Sequence, residues 1–121
     1  MKILVVDDNI SIRKLMSDYL ESLGFSEITH AENGLVALEI SQKELPDIIT
    51  LDWNMPEMDG LEYLKALRKL PNGQKPVVVF CSTEKSTPRI QQAMAAGANE
   101  YITKPFTLDD VQNKFQKLGL L

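Results

Sequence analysis

The chain has 121 residues, 44% of them hydrophobic, which is material for one packed core and too little for a second folded domain. Its 13 basic and 17 acidic residues give a net charge of −4, and no block of Lys and Arg is present to follow a phosphate backbone, so direct nucleic-acid binding is disfavoured. A single cysteine excludes an internal disulfide, and no apolar run reaches the length of a signal-peptide core or a membrane span, which makes a reducing cytoplasmic setting the default expectation.

The first β-rich run, Ile3 to Val6, is cut short by Asp7 and Asp8. A helical segment follows, in which Ile12, Leu15, Met16, Tyr19, Leu20 and Leu23 mark one face at spacings of three and four before Gly24 stops it. Ile28 to His30 forms a second run, and His30 reads as a structural histidine. The third, Ile48 to Leu51, ends at Asp52, with the only tryptophan, Trp53, directly after it and Met55 and Met58 as packing residues beyond. Val77 to Cys81 is the fourth, where Cys81, beside Val79 and Phe80, reads as a small buried hydrophobe. Thr87 and Pro88 suit the N-cap and first position of a helix whose buried stripe is Ile90, Ala93, Met94 and Gly97. Tyr101 to Thr103 is the fifth run, and Thr107 to Asp110 opens a last helix with a capping-box-like start and a stripe of Val111, Phe115 and Leu118.

A fivefold β/α alternation with continuously apolar strands implies a doubly wound α/β protein, its parallel sheet covered on both faces. Five strands favour the flavodoxin-like order 2-1-3-4-5, in which the winding reverses between strands 1 and 3 and ligands bind beyond the carboxyl ends. That edge would collect Asp7, Asp8, Asp52, Ser82, Thr83, Thr103 and Lys104. Three carboxylates together repel, so a cation belongs among them. Lys104 can offset one charge, and a hard divalent ion such as Mg²⁺ suits the others because it takes one or two carboxylates and recruits phosphate oxygens. Aspartate is also a nucleophile toward phosphorus, and metal and lysine would stabilise the transferring phosphoryl group.

Asp7-Asp8 after ILVV, Asp52 before Met55-Pro56 and Asp59-Gly60, Ser82 after VVVFC, and Lys104-Pro105-Phe106 after AGANEYI together resemble the receiver domain of bacterial two-component response regulators. The resemblance runs from about Lys2 to Leu118. It implies that Asp52 accepts a phosphoryl group from a sensor histidine kinase or histidine phosphotransfer protein, and that Asp7, Asp8 and Asp52, with the backbone carbonyl of Asn54, hold Mg²⁺, with Mn²⁺ as a substitute. It further implies that Ser82 and Lys104 bind the phosphoryl group, that Tyr101 is the switch aromatic, and that Lys104-Pro105 is a cis peptide. Thr83 stands where Ala or Gly is usual, and with Asn54 and Glu84 it occupies the positions that tune phosphoryl lifetime. Phosphorylation would shift a balance of conformations in residues 84 to 118, the expected surface for a downstream target.

Two other classes compete. A haloacid-dehalogenase-type phosphatase also uses an aspartate after a strand, but its motif resembles D-x-D-x-[TV], and Asn54 and Pro56 break it. An inert interaction module would be expected to lose part of the acidic, hydroxyl and lysine set, which is complete here. An EF-hand starting at Asp52 fails because Pro56, Glu57 and Tyr63 replace a ligand, the glycine and the closing glutamate. The expectation is therefore one receiver domain over residues 1 to 121 with no output domain, a monomer acting through association, with dimerisation on phosphorylation left open. Trp53 is expected to shield or shape the rim of the site.

Overall fold

The computed structural model describes residues 1–121. In chain order the elements are β1 (Lys2–Val6), α1 (Ile10–Ser22), β2 (Glu27–Ala31), α2 (Gly34–Lys43), β3 (Ile48–Leu51), α3 (Gly60–Arg68), β4 (Val77–Ser82), α4 (Thr87–Ala95), β5 (Glu100–Thr103) and α5 (Leu108–Lys117). All five strands run parallel in the order β2-β1-β3-β4-β5, the arrangement expected from the alternation. β1 lies between β2 and β3, with Val6 level with Ala31 on one side and Leu51 on the other, so Asp7 and Asp52 leave adjacent strands at the same height.

The period of two along each strand sorts the core into two layers. Leu4, Val6, Ile49, Leu51, Val78 and Phe80 pack with Ala37 of α2, Leu61, Leu64 and Leu67 of α3 and Ala93 of α4. Ile3, Val5, Ile48, Val79, Cys81 and Ile102 face the other way, onto Met16 and Leu20 of α1 and Val111 and Phe115 of α5. Cys81 is buried as expected, and burial pushes its thiol up to about 12, far from a reactive thiolate.

Helix ends follow the side chains that can satisfy them. Asn9 accepts from the N–H groups of Ser11 and Ile12 to open α1, and Gly24, at φ 99°, follows the end of that helix where a left-handed residue is needed. Asp59 with Glu62 and Thr107 with Asp110 close capping boxes on α3 and α5. α4 departs from expectation. Its N-cap is Ser86 rather than Thr87, which shifts Pro88 one place inward, and the Ser86 hydroxyl makes no capping hydrogen bond. Met94 is 40% exposed and outside the core, because it lies about 100° around the helix from Ala93, the one buried residue of α4.

Two polar devices secure the scaffold. Ser41 Oγ donates to the Ala37 carbonyl at 2.7 Å, so its remaining capacity accepts the buried Tyr63 hydroxyl at 2.8 Å and joins α2 to α3. At the amino end of the sheet, the Arg68 guanidinium donates to the carbonyls of Gly73, Pro76 and Gly97, tying the end of α3 to the segments that enter β4 and β5.

Gly60 brings α3 against the loop after β3: its N–H donates to the Trp53 carbonyl at 2.8 Å, and a Cβ there would lie 2.1 Å from the Asp52 carbonyl oxygen. Backbone cannot yield as a side-chain tip can. Gly60→Ala is therefore expected to destabilise the fold by about 3 kcal/mol, the upper end of forced overpacking, measured by urea denaturation. Stability equal to the parent's would show that α3 retreats freely.

Candidate functional site

Four chain segments leave the carboxyl edge of the sheet within reach of each other, and their side chains define the crevice. Asp7, 3% exposed, follows β1; its carboxylate accepts the Asn9 N–H at 2.9 Å, and its carbonyl accepts Arg13 Nη1 at 2.6 Å. Asp8 is exposed. Asp52, 7% exposed, follows β3, and carboxylate oxygens of Asp7, Asp8 and Asp52 all lie within 4.8 Å of one another. Lys104, after β5, reaches across to place Nζ 2.6 Å from Asp7 Oδ2 and 3.2 Å from Asp52 Oδ1. The Lys104-Pro105 peptide is cis, as the resemblance implies.

One ammonium cannot neutralise two buried carboxylates. Burial and then the Asp7 charge raise the Asp52 pKa from 3.8 to about 6, against the lowering pull of Lys104. Burial alone would lower the Lys104 pKa, but the hydrogen bond to Asp7 and the charges of Asp52 and Asp7 outweigh it and raise the value. The group is thus a strongly held cation between two acids that still repel each other.

The donor chemistry fits a hard divalent cation. Three carboxylates offer oxygens at close quarters, and Asp8 and the Asn54 carbonyl accept no hydrogen bond from the protein, leaving both available as ligands. A dication there would oppose the rise in the Asp52 pKa by favouring the ionised carboxylate.

The wall on the β4 and β5 side is built from Ser82, Glu84 and Tyr101. Ser82 is fully buried, and its Oγ accepts the Glu84 N–H at 3.2 Å. Tyr101 is 7% exposed, stacks on Phe80 at a centroid distance of 5.9 Å, and donates its hydroxyl to the Glu84 carbonyl at 2.7 Å. The two residues therefore hold the successive peptides on either side of Glu84, in the loop that leads into α4. Thr83 is exposed, and the Asn54 amide reaches the Glu84 carboxylate at 3.5 Å across the mouth of the crevice.

Trp53 is not at the rim. It is 2% exposed, belongs to the core layer of α2 and α3, packs on Phe80 at 5.2 Å and is covered by the Arg89 guanidinium at 5.1 Å. Trp53 continues the face of Ile49 and Leu51 one step past the end of β3, so the strand alternation carries the indole into the same core layer rather than to the rim. His30 pairs with Ser17 at 2.8 Å on the β2 edge, and burial, then Arg13, lower its pKa, in keeping with a structural role. Arg13 and Arg89 escaped the sequence reading because a lone basic residue on a helix has no pattern that separates a tether from a solvated charge.

Sheet order and crevice together define a flavodoxin-like α/β protein with an acidic, lysine-bridged site at its switch point. Residues 3–116 match the family model described as the response regulator receiver domain, and the chain belongs to that family. It is 37% identical to the chemotaxis protein CheY-3 of Vibrio cholerae over 118 residues, 98% of this chain and 91% of that protein. A probable chemotaxis protein CheY of Rhizobium etli is 36% identical over 93% of this chain and 87% of its own length. Among solved structures, chemotaxis response regulator CheY4 of Vibrio cholerae superposes with a TM-score of 0.89 at 36% identity, covering 97% of each chain.

Proposed function

We propose that this chain is a response regulator receiver that takes a phosphoryl group onto Asp52 from the phosphohistidine of a sensor histidine kinase or histidine phosphotransfer protein. The observation that carries the reading is the Lys104 ammonium bridging Asp7 and Asp52 in a crevice closed by Ser82. An Asp52 carboxylate oxygen forms the O–P bond as the N–P bond of the donor breaks and the electron pair returns to the imidazole. Mg²⁺ or Mn²⁺, held by Asp7, Asp8, Asp52 and the Asn54 carbonyl, would supply charge stabilisation for the phosphoryl oxygens. Lys104 then turns from Asp7 toward the new anion, and Ser82 donates its hydroxyl hydrogen to it. Asn54, Thr83 and Glu84 line the path of an attacking water and set the lifetime of the phosphoaspartate.

The product acts by binding. Drawing Ser82 toward the phosphoryl group pulls on the Glu84 N–H, and through that residue on the carbonyl that Tyr101 holds, and so shifts the face made by α4, β5 and α5. That face carries a groove of about 490 Å³ lined by Ile90, Tyr101, Pro105, Asp110 and Lys114, a surface suited to a target protein. The relatives named as chemotaxis proteins favour a target of that pathway over a phosphorelay. The chemistry ends with the chain's own phosphorylation and hydrolysis, with no external substrate, and the protein works in the cytoplasm.

Incubation with acetyl phosphate and Mg²⁺ should give one acid-stable, alkali-labile phosphoryl group by mass spectrometry. Absence of label would mark an inert module, and sustained turnover of external phosphoesters would mark a phosphatase.

A further inference from the structure

The start of α4 is thinly held. Ser86 makes no side-chain cap, Ala93 is the only buried residue of the helix, and Ile90 and Ala96 pack only partly on the core. Against that background one contact stands apart: the exposed Arg89 lays its guanidinium over the buried Trp53 ring, 5.1 Å from the centroid. Trp53 is the residue after Asp52, and its ring is wedged on Phe80 while its carbonyl holds the Gly60 N–H at 2.8 Å. The indole is therefore a fixed anchor, and α4 is the movable partner. We propose that the Arg89–Trp53 contact is a latch that holds α4 in its unphosphorylated seat and sets the threshold at which phosphorylation of Asp52 switches the partner face.

The direction follows from how the chain is connected. Ser82 Oγ accepts the Glu84 N–H, and only Lys85 and Ser86 separate Glu84 from α4. When Ser82 is drawn to a phosphoryl group, the pull passes through Glu84 to the first turn of α4, and Arg89 must slide from a ring that cannot follow. The lost cation–π contact opposes the switch. The latch thus adds a second link between Asp52 and α4, separate from the Glu84–Tyr101 hydrogen bond on the other side of the loop. It also gives a reason for a tryptophan directly after the phosphoacceptor: a broad aromatic face is the best seat for a guanidinium.

The inference rests on the receiver reading, so the test must separate the two. Beryllofluoride with Mg²⁺ serves as the phosphoryl mimic, its bound form followed by fluorine NMR, which does not depend on the indole, in the parent chain and in R89M and R89K. R89M keeps the aliphatic stem and removes the charge. It should lower the mimic concentration at half-saturation about two- to fivefold, matching a cation–π contact at a largely exposed site. R89K should fall between R89M and the parent. Without the mimic, amide exchange across Thr87–Ala95 should be faster in R89M than in the parent. If the parent binds the mimic and R89M binds it equally or more weakly, the latch is overturned and the receiver reading stands. If the parent itself fails to bind, both fall.

Discussion

Asp52→Asn is expected to abolish phosphoryl uptake and, at neutral pH without metal, to stabilise the fold by about 3 kcal/mol, roughly 10 °C in the melting midpoint. The two effects have one cause. Asp52 is 7% exposed beside the still more buried Asp7, and its pKa rises from 3.8 to about 6 because burial, then the Asp7 charge, make ionisation there unfavourable. The folded state therefore holds this proton more tightly than the unfolded state does. Between about pH 4 and pH 6 folding takes up a proton, so parent stability falls as pH rises through that window. Below it both states are protonated and the penalty vanishes; above it the penalty is complete. The asparagine variant should lose this fall, so the two stability curves diverge from about pH 4 upward. Mg²⁺ should stabilise the parent at pH 7 far more than the variant, because it favours the ionised carboxylate. Denaturant titrations at pH 4, 5, 6 and 7.5 decide the matter: a variant no more stable than the parent at pH 7.5 would mean that Lys104 already satisfies both acids.

Most of the fold was legible because its determinants are local and periodic. The apolar runs of β1, β3 and β4, the threes and fours of α1 and the Thr107–Asp110 box of α5 each specify their element without help from distant residues. The crevice was legible for a related reason. Once the strand order is set, residues that follow strands must meet at one edge, and Asp7, Asp52 and Lys104 do meet there. What stayed hidden depends on contacts between distant parts of the chain. The alternation from Ile49 and Leu51 points Trp53 into the core, but its cover by Phe80 and Arg89, neither a neighbour in sequence, has no local signal. The exposure of Met94 is decided by how narrow a strip of α4, centred on Ala93, meets the core, and the N-cap could be Ser86 or Thr87 by residue type alone. The Arg68 clasp uses backbone carbonyls, which every residue has and no sequence pattern marks.

Lys104→Met should produce the opposite result to Asp52→Asn, a loss of about 3–5 kcal/mol at neutral pH without metal. Methionine fills much of the stem's volume, so the change isolates the charge. Nζ sits 2.6 Å from one carboxylate and 3.2 Å from another, on a side chain only 14% exposed, and its removal leaves two buried anions facing each other. Because the pKa of Lys104 is raised above 10.5, the lysine's contribution is fully present below that value and is lost only as the medium becomes more alkaline. The deficit of the methionine variant should therefore be widest from about pH 7 to 9 and should shrink in acid, where Asp52 takes up its proton. Three agents can supply what the ammonium supplied: a proton, Mg²⁺, or neutralisation of one partner. Asp52→Asn added to Lys104→Met should thus recover most of the loss, a coupling of about 1–3 kcal/mol beyond the sum of the single changes. Phosphoryl uptake from acetyl phosphate should separate the lysine's two roles. If Mg²⁺ restores the stability of Lys104→Met but phosphorylation stays slow, the lysine acts on the transferring group itself as well as on the resting acids. Equal recovery of both would confine Lys104 to holding the crevice together.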